Sequence, residues 1–134
     1  MTVTRSDTLQ IRASDDVVRV RQEVRLRAVD IGLSLVDQTK IVTAASELAR
    51  NTLEYGGGGD LLIECLQDGG RRGLRLTFTD QGPGIADLDL ALTDGYTSGK
   101  GLGLGLSGAR RLSNDFRIDS KPGEGTQVMI ARWK

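Results

Sequence analysis

The chain has 134 residues, of which 38% are apolar and 27% charged, and its 18 basic residues balance its 18 acidic residues. This length predicts one domain, residues 1–134, with a hydrophobic core of its own. The neutral balance argues against a nucleic-acid-binding protein, which usually carries a clear basic excess. No apolar run approaches the roughly 20 residues that cross a bilayer. We therefore expect a cytoplasmic protein whose partners include neither nucleic acid nor membrane.

Two residue types narrow the chemistry further. The chain contains no histidine, which excludes a Ser-His-Asp or Cys-His hydrolase site, a His-ligated metal and a phosphohistidine acceptor within it. Its one cysteine, Cys65, excludes an internal disulfide and a cysteine-rich zinc site. Because Cys65 lies in the apolar run from Leu61 to Leu66, we expect a buried structural thiol. A general base must therefore be a carboxylate, a lysine, a tyrosine or this cysteine.

Two amphipathic helices are predicted in the first half of the chain, after a short strand from Thr8 to Ile11. The first helix would be capped by Ser14, with acidic residues in its first turn, and would stop at Gly32. Its arginines are expected on a solvated face: Arg19, Arg21, Arg25 and Arg27. The second helix would begin at Ser34 and end at the four consecutive glycines from Gly56 to Gly59, which a helix tolerates poorly.

Strands dominate the second half. Four are predicted, each an apolar or alternating run bounded by turn residues: Leu61 to Leu66, Leu74 to Thr79, Phe116 to Ser120 and Thr126 to Trp133. The alternation of the second of these indicates a sheet with one buried face. Short helices are expected around Leu88 to Leu92 and from Leu106 to Leu112. Paired helices followed by clustered strands favour an α+β fold over alternating strands and helices.

Glu47 and Asn51 are the first candidates for chemistry. They are four residues apart on the second predicted helix, so they share a face, and Ala44 places that face at the border of the apolar stripe. Two interpretations stay open at this point. The pair is either a partly buried polar pair that bonds neighbouring elements, or a carboxylate base beside an amide oxygen for Mg²⁺, which prefers oxygen ligands.

Three glycine-rich blocks follow. After a predicted strand, Asp80 to Gly84 offers a carboxylate for an exocyclic amine and glycines that let a flat ring approach the backbone; an ordinary Gly-Pro turn is the alternative. The block from Gly99 to Gly105 leads into a predicted helix, which makes an anion site to which Lys100 could add charge; a flexible loop is the alternative. Gly123 to Thr126, taken alone, is a hairpin turn.

In this order and spacing, the blocks resemble the nucleotide-binding motifs of the GHKL superfamily, which includes gyrases, Hsp90, histidine kinases and MutL. Ser46 to Asn51 looks like the N-box, Asp80 to Gly84 the first glycine box, Gly101 to Gly105 the second, and Gly123 to Thr126 the closing Gly-x-Gly-Thr. The likeness spans roughly residues 8 to 133. It implies the Bergerat ATP-binding fold, a two-layer α/β sandwich with a mixed, mostly antiparallel sheet and helices on one face.

The resemblance also implies a role for each matching position, with ATP and Mg²⁺ as cofactors. Glu47 would be the general base, Asn51 would hold Mg²⁺, and Asp80 would accept a hydrogen bond from the adenine amino group. The other ATP contacts would be Gly82, Gly84, Gly101, Leu102, Gly103, Gly105 and Thr126. We add Lys100 as a contact to phosphate.

Within the superfamily, the chain looks most like the RsbT-type serine/threonine kinases of the anti-sigma regulatory factor family, which act in bacterial partner-switching modules. The likeness lies in Ser46 to Asn51, in Tyr55 with its glycines, and in Gly101 to Gly108 followed by Arg110 to Leu112. It implies phosphorylation of a serine or threonine on a STAS-domain protein, and activation of a PP2C-type phosphatase as a second role. The alternatives are an anti-sigma kinase that also sequesters a sigma factor, and a non-catalytic ATP-binding switch.

Overall fold

The structure, a computed structural model, describes residues 1–85, 87, 91–92 and 105–134. Eight elements follow one another in it: β1 (Thr2–Ile11), α1 (Ser14–Asp30), α2 (Leu35–Glu54), β2 (Gly59–Asp68), β3 (Arg71–Asp80), α3 (Gly105–Arg111), β4 (Asp115–Ser120) and β5 (Thr126–Trp133). No helix among the described residues is long and apolar enough to cross a membrane. The helix expected around Leu88 to Leu92 lies mostly outside the described residues.

The five strands form one sheet in the order β1-β2-β3-β5-β4. Helices and sheet build the α+β fold that the sequence predicts. The resemblance implied a mixed, mostly antiparallel sheet, and every strand pairing among the described residues is antiparallel. β3 is the central strand, so its last residue, Asp80, lies at the middle of one end of the sheet.

The core lies between the helices and one face of this sheet. In β3, the alternate residues Leu74, Leu76 and Phe78 are at most 2% exposed. Ile41 and Leu48 of α2 belong to the same buried cluster. Burial of each large apolar side chain contributes about 1.5–3 kcal/mol, so α2 is held firmly against the sheet. This packing determines where the polar residues on the flank of α2 can lie.

The two long helices begin in different ways. At α2 the sequence prediction is confirmed, because the Ser34 hydroxyl accepts a hydrogen bond from the Asp37 backbone N–H at 3.1 Å. At α1 the expected cap at Ser14 is wrong: the capping position is Ala13. The Asp16 carboxylate instead accepts the backbone N–H groups of Arg12 and Ala13, at 2.8 and 3.1 Å. The bond from Arg12 is the main cause that lowers the pKa of Asp16.

Two further expectations for the N-terminal region need correction. β1 starts at Thr2, six residues before the predicted strand, because it pairs with β2 from Thr2 to Ile11. Arg27 does not lie on a solvated face, since it is 8% exposed. Its guanidinium forms ion pairs with Glu23 and Asp30 of α1 itself and with Asp7 of β1, and the pair with Asp7 ties α1 to β1.

The prediction for Cys65 is confirmed. Its side chain lies in β2 and is 5% exposed. Burial raises the pKa of the thiol, although the nearby Arg27 and Arg5 act in the opposite direction. The thiol is therefore held in its neutral form within the core.

Candidate nucleotide-binding site

Several of the sequence-predicted residues meet at one end of the sheet. In the antiparallel register, Asp80 lies opposite Gly59 of β2 on one side and opposite Thr126 of β5 on the other. Asp80 and Thr126 are far apart in the chain, so the register of β3 and β5 is what brings the first glycine box and the closing Gly-x-Gly-Thr together.

The C-terminal end of α2 reaches the same corner. The Asn51 carbonyl oxygen accepts hydrogen bonds from the backbone N–H groups of Tyr55 and Gly56, at 2.9 and 3.2 Å. A Cβ added to Gly56 would meet the side chain of Asp80, and one added to Gly82 would lie 2.7 Å from the Gly56 Cα. The missing side chains let Gly56, just beyond the end of α2, pack directly against Asp80 and the loop after β3.

Asp80 presents an oriented carboxylate at this corner. It is partly buried, and its Oδ1 accepts the Gly82 backbone N–H at 2.9 Å. In the part of the chain that the structure describes, Oδ2 makes no hydrogen bond. One oxygen is thus held by the protein, and the other can accept a hydrogen bond from a ligand amine.

Glu47 and Asn51 lie one helical turn apart on the same face of α2. Glu47 is only 6% exposed, and its Oε1 accepts a hydrogen bond from Arg50 Nη1 at 2.7 Å. Arg50 Nη2 also donates to the Ser46 hydroxyl at 3.2 Å. The Asn51 side-chain amide is partly buried and makes no hydrogen bond with any described residue. The face therefore offers a buried carboxylate and an amide oxygen with free capacity.

Gly84 and Thr126 also have roles in holding the fold together at this corner. Gly84 has a φ of 75°, and a Cβ there would overlap the Lys121 carbonyl oxygen, so the chain can cross only with glycine at this position. Thr126 Oγ1 shares a hydrogen bond with Ser120 Oγ at 2.8 Å. The Ser120 hydroxyl also accepts the Ile85 backbone N–H at 2.8 Å. These contacts tie the loop after β3 to the β4–β5 hairpin.

Only part of the predicted phosphate-binding segment is among the described residues. Lys100, Gly101, Leu102 and Gly103 lie outside the described residues. Gly105 is the first residue of α3 and has a φ of 48°. α3 is anchored by Leu106 and Ala109, which belong to the same core cluster as α2. The second glycine box therefore ends beside the helix that carries Glu47 and Asn51.

A cavity of about 290 Å³ lies at the opposite end of the sheet, at the turn between β2 and β3. It is lined by Gly70, Arg71, Arg72 and Lys134. None of the sequence-predicted residues contributes to it. The candidate site and this cavity are therefore separate places on the molecule.

Sequence reasoning did not single out two residues that the structure places at the site, Arg50 and Ser120. Arg50 stands inside the N-box, and a spacing of three from Glu47 is a signal for an ion pair on a helix. Ser120 ends a strand and gives no local signal, because its partners come from two other segments of the chain.

Residues 36–134 match the family of histidine kinase-, DNA gyrase B- and HSP90-like ATPases. The chain therefore belongs to this ATPase family, which confirms the class and the use of ATP that the resemblance implied. Over 125 residues it is 42% identical to serine/threonine-protein kinase RsbT of Bacillus subtilis (strain 168), which covers 93% of this chain and 94% of that relative. It belongs to the family of that kinase, and its enzyme class is that of a protein serine/threonine kinase.

Two solved structures support the fold. The RsbU and RsbW domains of Rv1364c from Mycobacterium tuberculosis match 96% of this chain with a TM-score of 0.66 and 22% identity. The histidine kinase domain of the blue-light-activated kinase from Erythrobacter litoralis EL346 matches 88% of it with a TM-score of 0.54 and 18% identity. The chain spans 32% and 59% of those two longer chains, respectively.

Proposed function

We propose that the protein is an Mg-ATP-dependent serine/threonine kinase that phosphorylates a STAS-domain regulator in a bacterial partner-switching module. The observation that carries the proposal is the buried Glu47 carboxylate, which lies one turn from the free amide of Asn51 and on the helix that leads into Gly56 beside Asp80. Membership of the ATPase family and the identity with a serine/threonine-protein kinase support the reaction type.

At the base end of ATP, Asp80 acts as the acceptor. The Gly82 N–H holds Oδ1, so Oδ2 accepts a hydrogen bond from the adenine amino group. A hydrogen bond to a charged group contributes about 1.5–3 kcal/mol. Gly82 and Gly84 keep the surrounding backbone close to the ring, and Thr126 supports the adenine end through its bond to Ser120.

At the phosphate end, the Asn51 amide oxygen would hold Mg²⁺ together with phosphate oxygens, because Mg²⁺ prefers oxygen ligands and shares them with substrate phosphates. The ion would supply neutralisation of the phosphate charge. Gly101, Gly103 and Gly105 of the second glycine box would wrap the phosphates, with Leu102 between them as a further contact. Lys100, just before the box, would add a contact to phosphate.

Glu47 serves as the base for the acceptor hydroxyl. As the hydroxyl oxygen bonds the γ-phosphorus, its proton passes to the Glu47 carboxylate. The bond between the γ-phosphorus and the bridging oxygen breaks, and ADP leaves. General-base catalysis of this kind contributes about 10²–10⁴-fold in rate, and most of the rest comes from positioning and charge neutralisation.

The partners of this proposal come from the resemblance. The acceptor is a serine or threonine of a STAS-domain antagonist or scaffold, and a PP2C-type phosphatase is a second partner that the protein activates. We place this module in the cytoplasm. A variant that lacks the base separates the two roles, because it should lose phosphotransfer and still activate the phosphatase.

Phosphotransfer is the direct test. The protein is mixed with Mg-ATP and a purified STAS-domain protein, and intact mass spectrometry follows the gain of one phosphoryl group. We expect the gain with the wild-type protein and its loss in Glu47→Gln. Glu54→Gln is the matched control, since Glu54 is exposed on the same helix.

Three outcomes are informative. Transfer by Glu47→Gln at the wild-type rate would overturn the base assignment. Absence of transfer by the wild-type protein, with ATP binding intact, would favour a non-catalytic switch. Stable capture of a purified sigma factor in the presence of ATP would favour the anti-sigma kinase.

A further inference from the structure

Arg50 is the described residue that compensates the buried charge of Glu47. The two groups lie three residues apart on α2 and are joined by a 2.7 Å bond from Nη1 to Oε1. The Glu47 side chain is 8% exposed, and the Arg50 side chain is 36% exposed. Arg50 therefore reaches from the border of the site inward to a carboxylate that solvent barely touches.

This pair differs from an ordinary ion pair on a helix surface. Arg19 and Asp16 have the same spacing on α1, but their charged atoms are 3.9 Å apart and their side chains are 53% and 22% exposed. Exposed pairs of that kind contribute little because water solvates both charges. A buried carboxylate, in contrast, requires a hydrogen-bonded partner. Among the described residues, Arg50 is the one that donates to Glu47.

The guanidinium is itself anchored at a second point. Its Nη2 donates to the Ser46 hydroxyl at 3.2 Å, and Ser46 is 9% exposed. Two bonds from one planar fork restrict the rotation of Arg50 and, through it, the rotation of the Glu47 carboxylate. Oε1 accepts the bond from Arg50, while Oε2 makes no hydrogen bond with any described residue.

We propose that Arg50 is a positioning residue: it holds Glu47 through Oε1 so that Oε2 stays directed at the acceptor hydroxyl. This inference rests on the proposed kinase function, because it assigns the way in which the base of that reaction is oriented. Arg50 acts through Glu47 and contacts neither ATP nor the acceptor. Its loss should therefore slow transfer without weakening nucleotide binding.

Arginine is required here for its geometry and not only for its charge. Lysine offers one compact ammonium on a flexible stem, so it can reach Oε1 or the Ser46 hydroxyl but cannot hold both in a planar fork. Glutamine carries no charge and leaves the buried carboxylate without its counter-charge. We expect the order of activity to be wild type, then Arg50→Lys, then Arg50→Gln.

The test measures binding and chemistry separately. The dissociation constants of Mg-ATP and Mg-ADP are measured by calorimetry, and the rate of transfer is measured with ATP and acceptor both saturating. For Arg50→Gln we expect both dissociation constants to stay near the wild-type values and the rate to fall about 10–100-fold, the effect of a misplaced catalytic group. Methylguanidine should restore part of the rate of Arg50→Ala in a saturable manner.

Two controls isolate the effect from folding. Arg25→Gln removes an exposed arginine of α1 and should leave the rate unchanged. In a Glu47→Gln background, Arg50→Gln should slow the reaction no further, because the effects of substitutions at residues that act as one unit do not add. Thermal unfolding of each variant is measured beside the rates.

The proposal is overturned if Arg50→Gln transfers phosphoryl groups at the wild-type rate. It is also overturned if that variant binds Mg-ATP much more weakly but Mg-ADP normally, because Arg50 would then be a ligand of the γ-phosphate. If the wild-type protein hydrolyses ATP but phosphorylates no acceptor, the kinase function fails and the same comparisons are made on hydrolysis. If it does neither, Glu47 is not a base and the role of Arg50 falls with it.

Discussion

Two glutamate–arginine pairs of similar burial lie on different layers of the molecule, and they use their carboxylates differently. Glu64 of β2 faces away from the helices, since its neighbour Ile63 points into the core. Arg75 of β3 donates hydrogen bonds to both carboxylate oxygens of Glu64, at 2.9 and 3.1 Å. Arg50 bonds one oxygen of Glu47, at 2.7 Å. In the first pair both carboxylate oxygens accept a hydrogen bond from the arginine, whereas in the second pair Oε2 of Glu47 makes no hydrogen bond with any described residue.

The comparison teaches that burial and pairing alone do not mark a functional carboxylate. The Glu64 side chain is 13% exposed and the Glu47 side chain 8% exposed. Burial alone therefore does not distinguish the two carboxylates. The unused oxygen and the position beside the Asp80 corner separate them. We expect carboxylates with an open oxygen at the candidate site to act on ligands and the closed Glu64–Arg75 pair to act only on stability.

The largest effect on ATP affinity is expected at Asp80, the second carboxylate with an open oxygen. Asp80→Asn removes a charged acceptor and can present an amide donor to the adenine amine. We expect ATP affinity to fall by about 1.5–3 kcal/mol, the contribution of a hydrogen bond to a charged group. Calorimetric titration with Mg-ATP measures this, with Asp119→Asn on β4 as the control. Equal affinities for the two variants would remove Asp80 from the site.

The closed pair should affect stability and leave binding unchanged. A double-mutant cycle of Glu64→Gln and Arg75→Met should give a coupling energy of about 1–2 kcal/mol, because the pair is bidentate and partly buried. Urea unfolding measures the coupling, and ATP affinity is measured in parallel. A change of ATP affinity in these variants would erase the distinction between the two pairs.

Asp37, at the N-terminal end of α2, gives a prediction for pH. Arg132 donates to Asp37 Oδ1 at 2.8 Å, and this bond is the main cause that lowers the pKa of Asp37 below its usual value of 3.8. A lowered pKa in the folded state stabilises the protein above about pH 4 and loses that contribution as the pH falls through the folded pKa. Asp37→Asn should cost about 1 kcal/mol at pH 7.

The difference in unfolding free energy between wild type and Asp37→Asn should shrink as the pH is lowered from 5 towards 3. Urea titrations at a series of pH values measure it. A difference that stays constant over this range would show that the Arg132 bond does not depend on the charge of Asp37.

The smallest effect is expected at Ser120, which supports the site without contacting ATP. Ser120→Ala removes the acceptor of the Ile85 N–H and the partner of Thr126. We expect a loss of about 0.5–1.5 kcal/mol in stability, the usual contribution of a neutral hydrogen bond. Urea unfolding checks the stability, and calorimetry should show ATP affinity close to that of the wild type. A loss of ATP binding as large as that of Asp80→Asn would make Ser120 a ligand instead.

The helices and strands could be predicted largely because their signals are local. The cap at Ser34, the glycines after α2 and the alternation in β3 each lie within one segment of chain. β1 was predicted too short because the segment from Thr2 to Asp7 is mostly polar. It forms a strand through its pairing with β2, which no local sequence pattern reveals. Arg27 was placed in solvent because its carboxylate partner Asp7 lies on β1.

The candidate site, too, has features that local sequence predicts and features that depend on distant parts of the chain. Motif order identified Glu47, Asn51 and Asp80, but the meeting of Asp80 with Thr126 depends on strand register. The purpose of Gly84 depends on the Lys121 carbonyl, which comes from another loop. The roles given to all of the site residues stay predictions, and Lys100, Gly101, Leu102 and Gly103 in addition lie outside the described part of the chain.

The most direct test of the account compares Glu47→Gln with Glu64→Gln in single-turnover phosphotransfer from Mg-ATP to the STAS-domain protein. We predict that Glu47→Gln binds ATP normally but transfers about 10²–10⁴-fold more slowly, the range of general-base catalysis. Glu64→Gln should transfer at the wild-type rate. Equal rates for the two variants would contradict the account, because the open oxygen of Glu47 would then have no part in the reaction.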